Sequence, residues 1–235
     1  MRAVASAIAL CALLAGAAQA QVSTGGGGMG GGMGGGGAQG AGPPAVMALA
    51  TGTRDGAPVA VVGRADGRVG WARLDLETSE GPVPEDPAGR LPGAVVAVAI
   101  APDGAAWALD DAGGRYRVGP GVEPTQVAVH EGGAQALALA PDGALAATAG
   151  NDGLVRVWAI GADSLRDEVA ALEGHSGPVA AVCWTEDGLW SAGWDGEVRA
   201  WRVRGRRIDG RGRPTRASAR ELCALTAGPD GLLLT

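Results

Sequence analysis

From Ala45 onward, short apolar runs alternate with clusters of Gly, Asp and Pro. Val95–Ile100, Ala136–Ala140 and Val179–Trp184 each lead into an Asp-Gly turn, and Leu145–Ala149 and Leu189–Ala192 follow one. A brief apolar run bounded by turn residues predicts a strand rather than a helix, because no 3.6-residue polar face interrupts it. Asn-Asp-Gly and Asp-Gly supply the positive-φ positions that tight hairpins need. The pattern predicts an up-and-down antiparallel meander.

The meander is periodic. Pro102-Asp103-Gly104, Pro141-Asp142-Gly143, Glu186-Asp187-Gly188 and Pro229-Asp230-Gly231 place their Asp residues 39, 45 and 43 apart. An aromatic recurs independently as Trp71, Tyr116, Trp158 and Trp201, at spacings of 45, 42 and 43. Units of that length, each with three short strands and a link to the next, match the blades of a propeller. The expected fold is all-β: four-stranded antiparallel blades, about four of them with a partial fifth, over residues 45–235.

Two units carry further landmarks: Gly174-His175, Ser191-Ala192-Gly193-Trp194-Asp195-Gly196 and Val198-Arg199-Ala200-Trp201, preceded by Thr148-Ala149-Gly150-Asn151-Asp152-Gly153 and Val155-Arg156-Val157-Trp158. On these residues the chain resembles the WD-repeat (WD40) family. The resemblance implies two hydrogen-bonded tetrads, His175–Ser191–Asp195–Trp201 and His130–Thr148–Asp152–Trp158. Both keep the same offsets from the turn Asp, four residues back and six forward. It is strong over residues 130–203 and degenerate before. Asp66 leads to Val62 and to Trp71 one residue short, and Asp110 leads to Ala106 and Tyr116, without a Ser or Thr.

The fifth unit begins near Glu221 and the sequence stops at Thr235, within its second strand. An incomplete ring is the expectation. A fragment of a longer propeller, closure by self-association or a second chain, and a small five-bladed ring are the three readings, in that order.

Residues 1–20 read as a cleavable signal peptide: Arg2, an apolar run over Ala3–Ala17, and the Ala18-Gln19-Ala20 site, with cleavage after Ala20. The expected location is secreted or periplasmic, with no membrane span in the mature form. Residues 21–44 form a Gly-rich linker with no charge, too poor in apolar side chains to offset its ordering entropy.

Composition removes several chemistries. The 235 residues include 43 Gly, no Phe and 19 basic residues, all of them Arg. Without Lys there is no P-loop lysine and no Schiff base. Two His, no HExxH and no DxDxDG leave no metal or cofactor set with ligand spacing. Ser191 beside His175 and Asp195 has the composition of a catalytic triad. A constellation repeated in the preceding unit with Thr148 reads instead as scaffold, and no catalytic residue is expected.

Three further features concern partners. Trp194, just before the turn Asp, and its equivalent Asn151 are candidate partner-binding positions at the rim. Residues 21–198 hold nine Arg and 22 acids, net −13, whereas residues 199–235 hold nine Arg and three acids, net +6. That cluster includes Arg204, Arg206, Arg207, Arg211 and Arg213. It reads as a solvated basic link, with an anion-binding module as the alternative; nucleic acid is not the expected partner. Cys183 and Cys223 sit three residues out of register on neighbouring inner strands, about 10 Å along a strand, so two free thiols are expected. The resulting reading is a non-catalytic exported scaffold for an unidentified protein partner. A propeller-type lyase or hydrolase is the alternative, disfavoured by apolar inner strands.

Overall fold

The computed structural model describes residues 21–23, 45–73, 83–118, 130–161, 167–186, 188–204, 207–208, 212–216, 225–227 and 233–234. Residues 1–20, read as a signal peptide, most of the expected linker, Arg206, Arg211 and Cys223 lie outside them. Every described element is a strand. The first sheet runs β1 (Gln21–Ser23), β2 (Val46–Arg54), β3 (Ala57–Arg64), β4 (Arg68–Arg73) and β5 (Val83–Arg90), in that order. Gln21–Ser23, the start of the expected linker, thus pairs antiparallel with β2. The second sheet is β6 (Val95–Ile100), β7 (Ala106–Asp110) and β8 (Arg115–Val118). The third is β9 (Ala134–Leu139), β10 (Leu145–Gly150), β11 (Val155–Ala159) and β12 (Glu168–Leu172).

The fourth sheet contains β13 (Val179–Thr185), β14 (Gly188–Gly193), β15 (Glu197–Trp201) and β18 (Arg213–Arg216). A small hairpin, β16 (Val203–Arg204) and β17 (Arg207–Ile208), fills the link before β18. β19 (Thr226–Ala227) and β20 (Leu233–Leu234) form a last hairpin. The basic stretch is therefore partly strand: Arg213 and Arg216 bracket the outermost strand of the fourth sheet, and Arg204 and Arg207 pair across a turn.

The sheets are blades. β2 packs on β6, β6 on β9, β9 on β13 and β13 on β19, so the first strand of each blade meets the first strand of the next. All pairings within the sheets are antiparallel. The result is an all-β partial propeller of four blades followed by a hairpin. Each joint between blades is an apolar cluster of Ala, Val and Leu with one or two aromatics. Alanine-rich inner strands let neighbouring blades approach closely without Phe.

Register separates the four aromatic landmarks. Trp158 pairs with Ala146 and Trp201 with Leu189, equivalent positions. Trp71 pairs with Val61, one place early, and joins the core toward the following blade instead of the preceding one. A one-residue slip on a strand moves a side chain to the other face. Tyr116 pairs with Ala108, two places early, and keeps its face.

Candidate functional site

The third blade builds its polar network around a hairpin. Thr148 lies in β10, Trp158 in β11, Asp152 in the turn between them, and His130 in the loop that precedes β9. His130 Nε2 lies 2.9 Å from Thr148 Oγ1, and His130 Nδ1 lies 2.9 Å from Asp152 Oδ1. The indole N–H of Trp158 donates to Thr148 Oγ1 at 2.9 Å. One arrangement satisfies every atom: a neutral imidazole donates Nδ1–H to the carboxylate, and the Thr hydroxyl donates to Nε2 while accepting from Trp158. Burial lowers the His130 pKa from its ordinary value, against the upward pull of Asp152, which favours that neutral form.

The fourth blade repeats the network. His175 Nε2 lies 2.8 Å from Ser191 Oγ, His175 Nδ1 lies 2.9 Å from Asp195 Oδ2, and Trp201 Nε1 donates to Ser191 Oγ at 2.9 Å. Asp195 also accepts the backbone N–H groups of Ser176 at 2.9 Å and Glu197 at 3.0 Å. Partial burial pushes the Asp195 pKa up, but these backbone donors and His175 hold it below the ordinary carboxylate value. Burial lowers the His175 pKa as well. The connectivity is that of a hydroxyl, a base and a carboxylate, enclosed within the blade. Ser191 is 0% exposed, and its oxygen is engaged by Trp201, so no reacting carbonyl can reach it.

Glycine accompanies histidine in both blades. A Cβ at Gly150 would collide with the His130 ring, and one at Gly193 would meet His175 Nδ1 at 2.6 Å. The second blade has no such His: its loop carries Leu91, packed in the core. There the glycine position is Asp110, which pairs with Val95 as Gly150 pairs with Ala134. Asp110 accepts the Gly114 N–H at 2.6 Å and the Tyr116 hydroxyl at 2.7 Å. Sequence reasoning found Asp110 without a Ser or Thr; the phenol of Tyr116 supplies the missing hydroxyl. Burial, then the hydrogen bond to Asp110, raises the Tyr116 pKa.

Neighbouring turns and loops interlock. The Gly153 turn of the third blade abuts the loop leading to the fourth: a Cβ on Gly153 would lie 3.2 Å from Gly177 O and 3.3 Å from His175 O. The fourth turn in its place is fixed by Trp194 N donating to Pro178 O at 2.9 Å. Trp194 is 44% exposed on this firmly held turn. Asn151 is committed within the chain, donating to Gly132 O at 2.6 Å and accepting from Gln135 Nε2 at 2.9 Å.

Among the described basic side chains of residues 199–220, Arg202 and Arg216 are exposed. Arg199 is half-buried, with Nη2 donating to Glu197 at 2.7 Å and Nη1 to Gly212 O at 3.3 Å. Arg204, Arg207 and Arg213 are placed by backbone alone. Arg115, missed by sequence reasoning, is 3% exposed, with its guanidinium carbon 3.6 Å from the Trp158 ring centroid. Cys183 is half-buried on β13, its thiol 3.6 Å from Trp184 O. Among the described residues no group of His, Cys, Asp and Glu could hold a metal ion, and no helix is long and apolar enough to cross a membrane.

Comparison with known proteins falls on these two blades. Residues 123–159 and 166–202 each match the model of the WD domain, G-beta repeat. A relative is WD repeat-containing protein 1 of Mus musculus, 42% identical over 73 residues, which are 31% of this chain and 10% of the relative.

Proposed function

We propose that the chain is a WD-repeat protein, a non-catalytic scaffold that presents Trp194 to a protein partner outside the cytoplasm; its two matched repeats support the family reading. The observation that carries the reading is an exposed Trp on a turn whose neighbour Asp195 is fixed by two backbone donors and a histidine. An aromatic held rigidly at a surface loses little entropy on binding and buries a large apolar area. Both hydroxyl-His-Asp sets are held inside their blades, which favours the rim as the working surface.

The test compares wild type with Trp194→Ala in affinity capture from the extracytoplasmic fraction. One protein retained stoichiometrically by wild type and lost with W194A, at unchanged melting temperature, supports the scaffold reading. An identical retained set from both would overturn the role of Trp194. The Ala18-Gln19-Ala20 site supports export. N-terminal sequencing of the protein from its native host is expected to begin at Gln21, and a chain still beginning at Met1 would refute cleavage.

A further inference from the structure

Asp-Gly occurs nine times in the chain, and six of the pairs lie wholly among the described residues. Five of the six are built alike. Asp66, Asp103, Asp142, Asp152 and Asp195 each accept, through a carboxylate oxygen, the backbone N–H two residues on, at 2.9–3.2 Å. The glycines that follow, Gly67, Gly104, Gly143, Gly153 and Gly196, each donate their N–H to the carbonyl three residues back, at 2.9–3.3 Å. An Asx turn and a backbone turn thus close on each other, and both the carboxylate and the next amide are engaged.

Asp55-Gly56 departs from this pattern. It forms the two-residue turn between β2 and β3, where Arg54 pairs with Ala57. Asp55 has φ 51° and Gly56 φ 76°, the positive pair that a tight hairpin needs, and Asp55 is the one non-glycine residue with positive φ among those described. Both residues are exposed, and among the described residues neither the Asp55 carboxylate nor the Gly56 N–H has a hydrogen-bond partner. The neighbouring Arg54 is turned over Trp71, its guanidinium carbon 4.8 Å from the ring centroid. Nothing lies within 4 Å of where a Cβ on Gly56 would stand, so no neighbour braces that side of the tip.

We propose that Asp55-Gly56 is a site of aspartate isomerisation, at which the main chain reroutes through the side chain of Asp55. The Gly56 nitrogen attacks Cγ of Asp55. A C–N bond forms, a carboxyl oxygen leaves as water with the amide proton and a proton from solvent, and a cyclic imide closes. Water then adds to either imide carbonyl. Breaking the new Cγ–N bond restores Asp55; breaking the bond from the α-carbonyl carbon to nitrogen leaves an isoaspartyl link, with one more methylene in the main chain. Water leaves and returns, so no oxidant, metal or cofactor is consumed. In the other five pairs the nitrogen must first give up its acceptor and the carboxylate its donor.

The product has a neighbour to act on. The Asp55 turn meets the Asp103-Gly104 turn of the second blade: a Cβ on Gly104 would lie 3.5 Å from Arg54 Cα and from Thr53 O. A longer main chain at Asp55 therefore shifts the end of β2 where the first two blades touch. Trp194 stands on a different turn, between the second and third strands of the fourth blade, so this site does not depend on the partner reading.

Incubation of the folded full chain in heavy-oxygen water at neutral pH tests the proposal, because each imide that reopens takes an oxygen from solvent. After proteolysis in ordinary water, peptide fragmentation locates the label. Asp55 is expected to gain label about tenfold or more faster than the other five aspartates, since each of those must break two hydrogen bonds before attack. The isoaspartyl form of the peptide spanning residues 54–56 should separate from the aspartyl form by chromatography. Unfolding in urea should bring the six rates together. Equal labelling of the six in the folded chain, or a lead of Asp55 that persists unchanged in urea, would overturn the proposal.

Discussion

The guanidinium of Arg115, in the second blade, lies over the indole of Trp158 in the third, its carbon 3.6 Å from the ring centroid. Arg115 Nε and Nη1 are buried without a hydrogen-bond partner. Desolvation lowers the guanidinium pKa to about 10, against the upward pull of Glu168. The ring face replaces part of the lost hydration, and such contacts reach about 2 kcal/mol when desolvated. Arg115→Ala should cost about 2–3 kcal/mol, through the lost stacking and the lost packing of the stem. Arg115→Met keeps an apolar stem on the ring and removes the buried charge, so its cost should stay below about 1 kcal/mol. Urea melts of the two variants check this; equal losses would refute the balance.

Acid should weaken the blades in two steps. Both histidines have folded pKa values below the ordinary one because burial disfavours their charged form. The unfolded chain then binds more protons as pH falls through about 6.5, so stability drops below that pH. The depressed Asp195 pKa adds stability that is present above its unfolded value and is lost as pH falls through its folded value. Thermal midpoints are expected to be lower at pH 5 than at pH 7.5, with a smaller difference in His175→Leu. A flat profile would contradict neutral buried imidazoles.

Asp195→Ala should destabilise the chain by about 1–3 kcal/mol, because His175 and two backbone N–H groups lose their acceptor. Chemical denaturation measures the loss. An unchanged midpoint would remove the network from any role in stability.

Gly150→Ala puts a methyl where the His130 ring lies, and overpacking of this kind costs about 1–3 kcal/mol. Paired with His130→Ala, the double change should cost less than the sum of the two, as double-mutant denaturation would show. Strict additivity would mean that glycine serves some other need there.

Tyr116→Phe removes the phenol from Asp110 and leaves the buried carboxylate with the Gly114 N–H. A loss of about 1–2 kcal/mol is expected by thermal melt. No loss would make that hydrogen bond incidental.

The repeat and the strand class were legible because they rest on spacing along the chain, whereas the pairing of each histidine with its Asp, across 20 to 22 residues, was legible only through the family resemblance. Ser191, Asp195 and Trp201 lie within a single hairpin, so chain geometry brings them together. Trp71 and Tyr116 fitted the period by number, yet they stand one and two places early in the register. A period averaged over four units does not resolve such a slip, and the slip decides which core receives the side chain. Arg115 over Trp158 was illegible for another reason. It joins two blades, and the contact depends on how far apart they stand.

The turn at Gly153 is gripped from two sides. Within its blade, Asp152 holds His130; from the next blade, the carbonyls of His175 and Gly177 press against it. Peeling away the fourth blade removes the outer grip and leaves the inner one. Peeling away the second frees the loop that carries His130, which donates Ala134 N–H to Asp111 O at 3.2 Å. Each turn is thus latched by the loop of the blade that follows it, so loss of any one blade loosens the turn before it and the loop after it.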